Sequence, residues 1–186
     1  MTAVRTRRIV IVRNPRSGSV PGVPQLEAAC RAGVAAEVLD IPDEGDSSSW
    51  LEACARTHNV LVAAGGDGTV STVAAAAAKT GAMLGVIPSG TLNHFAKDVG
   101  VPANMTEAVA ALASTRVRLV DVGRVNGHAF LNNVSLGNSP RMVHEREALE
   151  EDGRSHALAT TVAAARTWWG LRNMAAVIVA DGRLGC

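Results

Sequence analysis

The feature that most constrains the fold is a buried strand that ends in a glycine-rich turn and continues directly into a helix. The apolar run Val60 to Ala64 leads into Gly65-Gly66-Asp67-Gly68-Thr69, and an alanine-rich helical pattern follows from Val70 to Ala78. The glycines let backbone N–H groups approach a bulky anion, and a helix N-terminus adds donors with partial positive charge. The segment therefore predicts a phosphate-binding turn.

Asp67 is the residue of this turn that phosphate binding does not explain. A carboxylate repels phosphate unless it holds a metal ion, contacts a ribose hydroxyl or moves a proton. The simpler interpretation is a tight turn in which Asp67 caps the following helix. A second loop favours a binding site, because the strand pattern Met83 to Ile87 runs into Pro88-Ser89-Gly90-Thr91-Leu92-Asn93-His94-Phe95-Ala96. Loops that follow neighbouring parallel strands meet at the carboxyl edge of the sheet, where open α/β folds bind ligands.

Strand and helix patterns alternate over residues 1–115. The predicted strands are Arg8 to Arg13, Ala35 to Leu39, Asn59 to Ala63 and Met83 to Ile87. The predicted helices are Gln25 to Arg31, Ser47 to Thr57 with caps from its own serine run, Val70 to Lys79 and Thr106 to Ala113. This alternation predicts an α/β fold with a doubly wound, mainly parallel sheet.

The pattern becomes β-rich after residue 115. Partial alternation from Arg116 to Val125, a hairpin signal at Asn126-Gly127 and a returning strand from His128 to Ser135 predict antiparallel structure. A helix is expected from Ser155, with Trp168 and Trp169 in a core, and a strand from Met174 to Ala180 with a turn at Asp181-Gly182. We therefore expect an α/β domain at 1–115 and a β-rich domain at 116–186 that is incomplete, because no partner strand follows that turn.

Composition limits the partners and the compartment. The net charge of the 186 residues is +1, so global charge gives no reason to expect nucleic-acid binding. No apolar run reaches the roughly eighteen residues of a membrane span. Cys30, Cys54 and Cys186 are far apart and lack metal-ligand spacing, as expected for reduced thiols. We expect a soluble, cytoplasmic chain whose membrane contact, if any, is peripheral and at the inner face.

Three segments in this order resemble the catalytic domain of the diacylglycerol kinase family, which also includes sphingosine and ceramide kinases. They are Asn14-Pro15-Arg16-Ser17-Gly18, the Gly65 to Thr69 turn and the Pro88 to Ala96 loop. The similarity continues through Lys97 to Pro102 and into Val120 to Gly127. It implies a nucleotide domain similar to that of NAD kinases, followed by a β-sandwich, with ATP between the two. The implied reaction transfers the γ-phosphoryl group of Mg-ATP to a primary hydroxyl of a lipid such as diacylglycerol or a sphingoid base.

The resemblance also implies roles for particular residues. Those around the ATP phosphates would be Gly65, Gly66, Asp67, Gly68 and Thr69, with Asp67 as the candidate catalytic residue. The first nucleotide loop would be Asn14, Arg16, Ser17 and Gly18, in which Arg16 can neutralise phosphate charge. The cleft would also be lined by Gly90, Thr91 and Asn93. A plain turn at Asn14-Pro15 and helix capping by Thr91 and Asn93 remain the alternative interpretations.

The sequence departs from the family pattern in two places, and two other functions are kept as alternatives. His94 stands where members often carry Asp, and an imidazole does not hold a metal cation by charge. The family's β-sandwich continues past the equivalent of Asp181-Gly182 and supplies a catalytic acidic residue and Mg²⁺-associated positions, so no metal ligand is assigned here. An NAD kinase, which also uses Gly-Gly-Asp-Gly-Thr, and a non-catalytic nucleotide- or lipid-binding module are the alternatives. The lipid acceptor and the oligomeric state are not predicted.

Overall fold

The computed structural model describes residues 7–16, 20–31, 33–114 and 116–133, and the backbone of 178–180 and 183–185. The chain forms two compact units, Met1–Asn133 and Val134–Cys186. The predicted helix from Ser155 and the predicted Asp181-Gly182 turn lie outside the described residues. The division into domains at 1–115 and 116–186 stays a prediction.

A sheet of four parallel strands forms the centre of the first unit. The strands are β1 (Ile9–Arg13), β2 (Ala36–Asp40), β3 (Val60–Gly65) and β4 (Met83–Pro88), in the order β2-β1-β3-β4. In the register, Ile11 lies beside Val38 and Val62, and Val62 lies beside Gly85. β3 is buried along its whole length, which explains its continuous apolar sequence. The predicted parallel α/β layer is confirmed.

Helices cover both faces of this sheet. They are α1 (Val23–Cys30), α2 (Ser47–Thr57), α3 (Asp67–Thr80), α4 (His94–Asp98) and α5 (Met105–Leu112). Ile9 and Ile11 pack with α1 and α5, whereas Val10 and Val12 pack with α2, α3 and α4. Successive side chains of a strand point to opposite faces, so β1 contributes to both cores.

The helix starts correct two predictions. α2 has the predicted bounds, but its cap is Asp46 rather than the serine run, because Asp46 accepts a hydrogen bond from the Ser48 amide at 3.0 Å. α3 begins at Asp67 rather than Val70, so three of the five residues of the predicted turn belong to the first helical turn. Helix α4, which has only five residues, was not predicted from the sequence.

The β structure after residue 115 is partly as predicted. β5 (Gly123–Val125) and β6 (His128–Phe130) form an antiparallel hairpin through Asn126-Gly127, where both residues have positive φ, 48° and 83°. In the second unit, β7 (Ile178–Ala180) pairs antiparallel with β8 (Arg183–Gly185). The expectation that no strand follows to pair with the last predicted strand is therefore wrong. Among the described residues, no helix is both long and apolar enough to cross a membrane.

Candidate functional site

A polar cavity of about 310 Å³ lies at the carboxyl edge of the sheet. Its walls come from the loops after β1, β2 and β3 and from the start of α3. The lining residues are Asn14, Arg16, Ile41, Pro42, Asp43, Gly45, Ser47, Gly66, Gly68, Thr69 and Thr72. The structure thus brings together five predicted site residues, Asn14, Arg16, Gly66, Gly68 and Thr69. Ser17 and Gly18 lie outside the described residues.

The β2–α2 loop is the part of this wall that the sequence analysis missed. It contributes Asp43, Gly45 and Ser47 among others. The only usable signal in the sequence was positional, since this loop also follows a predicted parallel strand and must reach the same edge.

The glycines of the turn serve packing and access rather than unusual backbone angles. None of Gly65, Gly66 and Gly68 has a positive φ. A Cβ on Gly65 would lie 2.6 Å from the Thr69 side chain, whereas a Cβ on Gly68 would meet nothing within 4 Å. Gly65 therefore leaves room for Thr69, and Gly68 leaves the backbone of α3 open towards the cavity.

The first turn of α3 forms the anion-binding side of the cavity. Gly66 is the N-cap of this 14-residue helix and provides no side-chain hydrogen bond to it. The first amides of a helix lack intrahelical acceptors and carry the positive end of the helix dipole. Gly68 and Thr69 place this helix end on the cavity wall. The arrangement suits a phosphate group.

Asn14 and Arg16 place polar groups opposite that helix end. The Asn14 side-chain amide donates to the Thr69 hydroxyl at 3.5 Å, and its oxygen accepts from the Arg16 backbone at 3.1 Å. The Arg16 guanidinium lies 3.7 Å from the carboxylate of Asp43, and both side chains are about 70% exposed. Because exposed ion pairs contribute little, Arg16 can leave Asp43 for an anionic ligand.

An ion pair joins the strand ends below these loops. Arg13, the last residue of β1, donates from Nε and Nη2 to both oxygens of Asp40, the last residue of β2, at 2.6 Å each. Hydrogen bonding from Arg13 lowers the pKa of the Asp40 carboxyl below its ordinary value. The pair fixes the two strands from which the Asn14 and Asp43 loops start.

Asp67 does not line the cavity. Its Oδ2 accepts from the His94 amide and its Oδ1 from the Phe95 amide, both at 3.1 Å, and Oδ1 also accepts from Asn132 Nδ2 at 3.3 Å. Asp67 therefore caps α4. The alternative in which it caps the helix that follows it, α3, is wrong, because Gly66 holds that N-cap position. The catalytic role of Asp67 stays a prediction.

The loop before α4 is closed upon itself. The Gly90 amide donates to Asn93 Oδ1 at 2.9 Å, and Asn93 Nδ2 donates back to the Gly90 carbonyl at 2.6 Å. Asn93 occupies the N-cap position of α4 with a φ of 50°, but its side chain makes no capping bond, so the alternative of helix capping by Asn93 is wrong. Gly90 packs against Gly66 next to the cavity, and Thr91 is exposed.

A second, larger cavity of about 580 Å³ lies along β4, α3 and α5. Apolar side chains such as Leu84, Val86 and Leu112 form most of its lining. None of the predicted site residues that the structure describes contributes to it.

Known proteins similar to this chain are lipid kinases. Residues 8–125 match the family model described as "Diacylglycerol kinase catalytic domain". A diacylglycerol kinase of Staphylococcus haemolyticus is 31% identical over 144 aligned residues, and the alignment covers 73% of this chain and 43% of that protein. A "Probable lipid kinase YegS-like" protein of Pseudomonas aeruginosa is 35% identical over 132 residues, 69% of this chain and 43% of that one.

The fold agrees with that similarity. The crystal structure of a diacylglycerol kinase from Bacillus anthracis superposes with a TM-score of 0.58 at 28% identity, over 68% of this chain and 46% of that chain. The chain therefore spans less than half the length of these relatives.

Proposed function

The chain belongs to the diacylglycerol kinase catalytic domain family, and from this premise we propose that it binds ATP in the polar cavity and supports phosphoryl transfer to a lipid hydroxyl. The observation that carries the proposal is the convergence of Asn14, Arg16 and the first turn of α3 on one cavity of about 310 Å³. A volume near 300 Å³ is at the lower end for small-molecule sites, and it suits the phosphate portion of a nucleotide.

The chemistry of phosphoryl transfer matches what these residues can supply. The bond from the γ-phosphorus to its bridging oxygen breaks as the oxygen of a lipid hydroxyl bonds to phosphorus, ADP leaves with the electron pair of the broken bond, and the hydroxyl proton is released to solvent. Such a reaction needs in-line placement and charge neutralisation more than a covalent intermediate. The α3 amides and the Arg16 guanidinium supply positive charge, while Gly68 leaves the backbone of α3 accessible.

Mg²⁺ fits this site as a companion of the nucleotide. Among the described residues, no three His, Cys, Asp or Glu side chains are grouped to hold a metal ion. Mg²⁺ is usually bound by one or two carboxylates together with substrate phosphates and water. Asp43 is the carboxylate on the cavity wall, and Mg²⁺ would remove its repulsion of the phosphates.

The acceptor in this proposal is a primary hydroxyl of a diacylglycerol or a sphingoid base, presented at the surface of a membrane. The support is the matched family and the names of the relatives in Staphylococcus haemolyticus and Pseudomonas aeruginosa. The family match favours this function over an NAD kinase. A non-catalytic nucleotide-binding module is the second candidate, and a transfer assay distinguishes it from a kinase.

Replacement of Arg16 by alanine tests the nucleotide site. We expect the affinity for Mg-ATP, measured by calorimetry on the 186-residue chain, to fall about tenfold, as expected for loss of one charge-assisted hydrogen bond. The matched control is Arg56→Ala, since Arg56 is exposed on α2 and does not line the cavity. Equal weakening by both substitutions would contradict a specific role for Arg16.

A transfer assay then separates the functions. Labelled γ-phosphate should pass from ATP to diacylglycerol or a sphingoid base in mixed micelles, and not to NAD. Binding of ATP without transfer to any lipid would support the non-catalytic module. Absence of ATP binding in millimolar Mg²⁺ would overturn the proposed function.

A further inference from the structure

We propose that Asp67 is a positioning residue that couples the cavity to helix α4, so that nucleotide binding on one side of the glycine turn orders the α4 side as well. The capping contacts are present in the structure. Only the response to nucleotide rests on the proposed function.

Helix α4 depends on Asp67 because it lacks a cap of its own. Its N-cap residue, Asn93, uses both side-chain groups to close the loop to Gly90. The first amides of α4, those of His94 and Phe95, instead donate to a carboxylate 27 and 28 residues earlier in the chain. A five-residue helix is unstable without such contacts.

The carboxylate is placed where its charge is compensated. Asp67 is the first residue of α3, so its charge also lies at the positive end of a 14-residue helix dipole. Two backbone amides and the Asn132 side chain donate to it. This explains how a carboxylate is tolerated within a phosphate-binding turn: it is held by amides beside α4 and does not line the cavity.

The third contact extends the junction to β6. Asn132 follows β6, which packs against α3, and Leu131 packs on the same core as Phe95. Backbone contacts reinforce the junction, since the Ser89 amide donates to the Gly65 carbonyl at 3.1 Å. Asp67 is thus the side chain at which α3, α4 and the end of β6 meet.

Hydrogen exchange of the ligand-free chain tests the capping role. In Asp67→Asn, a side-chain NH₂ group replaces one of the two carboxylate oxygens that accept hydrogen bonds, and the negative charge is lost. We therefore expect the His94 and Phe95 amides to exchange at least about tenfold faster than in the wild type. The matched control is Asn104→Ala, because Asn104 Oδ1 caps α5 through the amides of Thr106 and Glu107. That substitution should accelerate exchange at 106 and 107 and leave 94 and 95 unchanged.

A second variant tests the same contacts in case Asp67→Asn does not fold. Asn132→Ala leaves the carboxylate intact and removes one donor, and it should accelerate exchange at 94 and 95 by about threefold. Unchanged exchange at 94 and 95 in both variants would overturn the proposal.

Addition of Mg-ATP without lipid tests the coupling. In the wild type we expect the nucleotide to slow exchange at 94 and 95. At saturating nucleotide, Asp67→Asn should bind ATP without this slowing, a result that a merely structural cap would not give. Equal slowing in both proteins would overturn the coupling. If the wild type binds no ATP, the proposed function fails, while the exchange rates of the ligand-free chains still decide the capping role.

Discussion

Two glycine-containing loops lie side by side at the carboxyl edge of the sheet, and they use glycine for opposite purposes. In the Gly65 to Thr69 turn, Gly68 faces open space and leaves a backbone accessible to a ligand. In the Gly90 to Asn93 loop, Gly90 lies so close to Gly66 that an added Cβ would be 2.5 Å from the Gly66 Cα. A glycine in a loop therefore predicts a close approach, but what approaches is either a ligand or another backbone.

The largest loss of stability should come from Gly90→Ala. The new Cβ would collide with the backbone of Gly66, which cannot rotate away as a side chain can, so one of the two loops must shift. We expect a loss of about 2–3 kcal/mol in the free energy of unfolding, measured by urea denaturation, in the range of overpacking substitutions.

Gly68→Ala is the contrasting variant for that experiment. No atom lies within 4 Å of the new Cβ, and alanine is favoured over glycine in a helix, so stability should be unchanged or slightly higher. It should lower the affinity for ATP, because the added methyl group lies on the cavity wall. Similar losses of stability in the two variants would remove the distinction between an open and a packed loop.

Asn93→Ala should give an intermediate loss of stability. It removes both hydrogen bonds between Asn93 and Gly90 and places alanine at a φ of 50°, so we expect a loss of about 2 kcal/mol in unfolding free energy. Asn93→Gly keeps the backbone conformation accessible and should lose only the hydrogen bonds, about 1 kcal/mol. The exposed Thr91→Ala is the control and should stay within about 0.5 kcal/mol of the wild type. Equal stability of all three variants would show that the loop is not closed by Asn93.

The smallest loss of stability should come from removing the ion pair between Arg13 and Asp40. The pKa of Asp40 is lowered in the folded chain by Arg13, so the pair stabilises the fold above the unfolded carboxyl pKa near 4 and ceases to do so as pH falls through the folded value. Because Asp40 is 42% exposed, Asp40→Asn should cost no more than about 1 kcal/mol at pH 7. The difference between variant and wild type in urea denaturation should be smaller at pH 3 than at pH 7, because the unfolded carboxyl takes up its proton between these pH values. A difference that is the same at both pH values would exclude the ion pair as its cause.

The sequence predicted the elements whose apolar pattern is unambiguous. All four strands of the parallel sheet, helix α2 and the Asn126-Gly127 hairpin were located, because burial on two faces, helical spacing and positive φ each leave a local signal. Five predicted site residues follow the carboxyl ends of β1 and β3 and line one cavity, while their roles stay predictions: Asn14, Arg16, Gly66, Gly68 and Thr69.

What the sequence did not predict depends on contacts between distant segments. Helix α4 has no local start signal, because its cap is Asp67 on another helix. The Arg13–Asp40 pair requires the strand register, which places these two residues side by side. The β2–α2 loop has no glycine-rich motif, so no motif in the sequence marks Asp43 as a residue of the cavity wall.

The contact between Gly66 and Gly90 also has a consequence for protein engineering. The two backbones are in direct contact there with no side chain between them, so each loop restricts the conformation of the other. A cavity of this kind cannot be transplanted by grafting the Gly-Gly-Asp-Gly-Thr segment alone onto another parallel sheet. The neighbouring loop and its short helix would have to be moved with it as a single cassette.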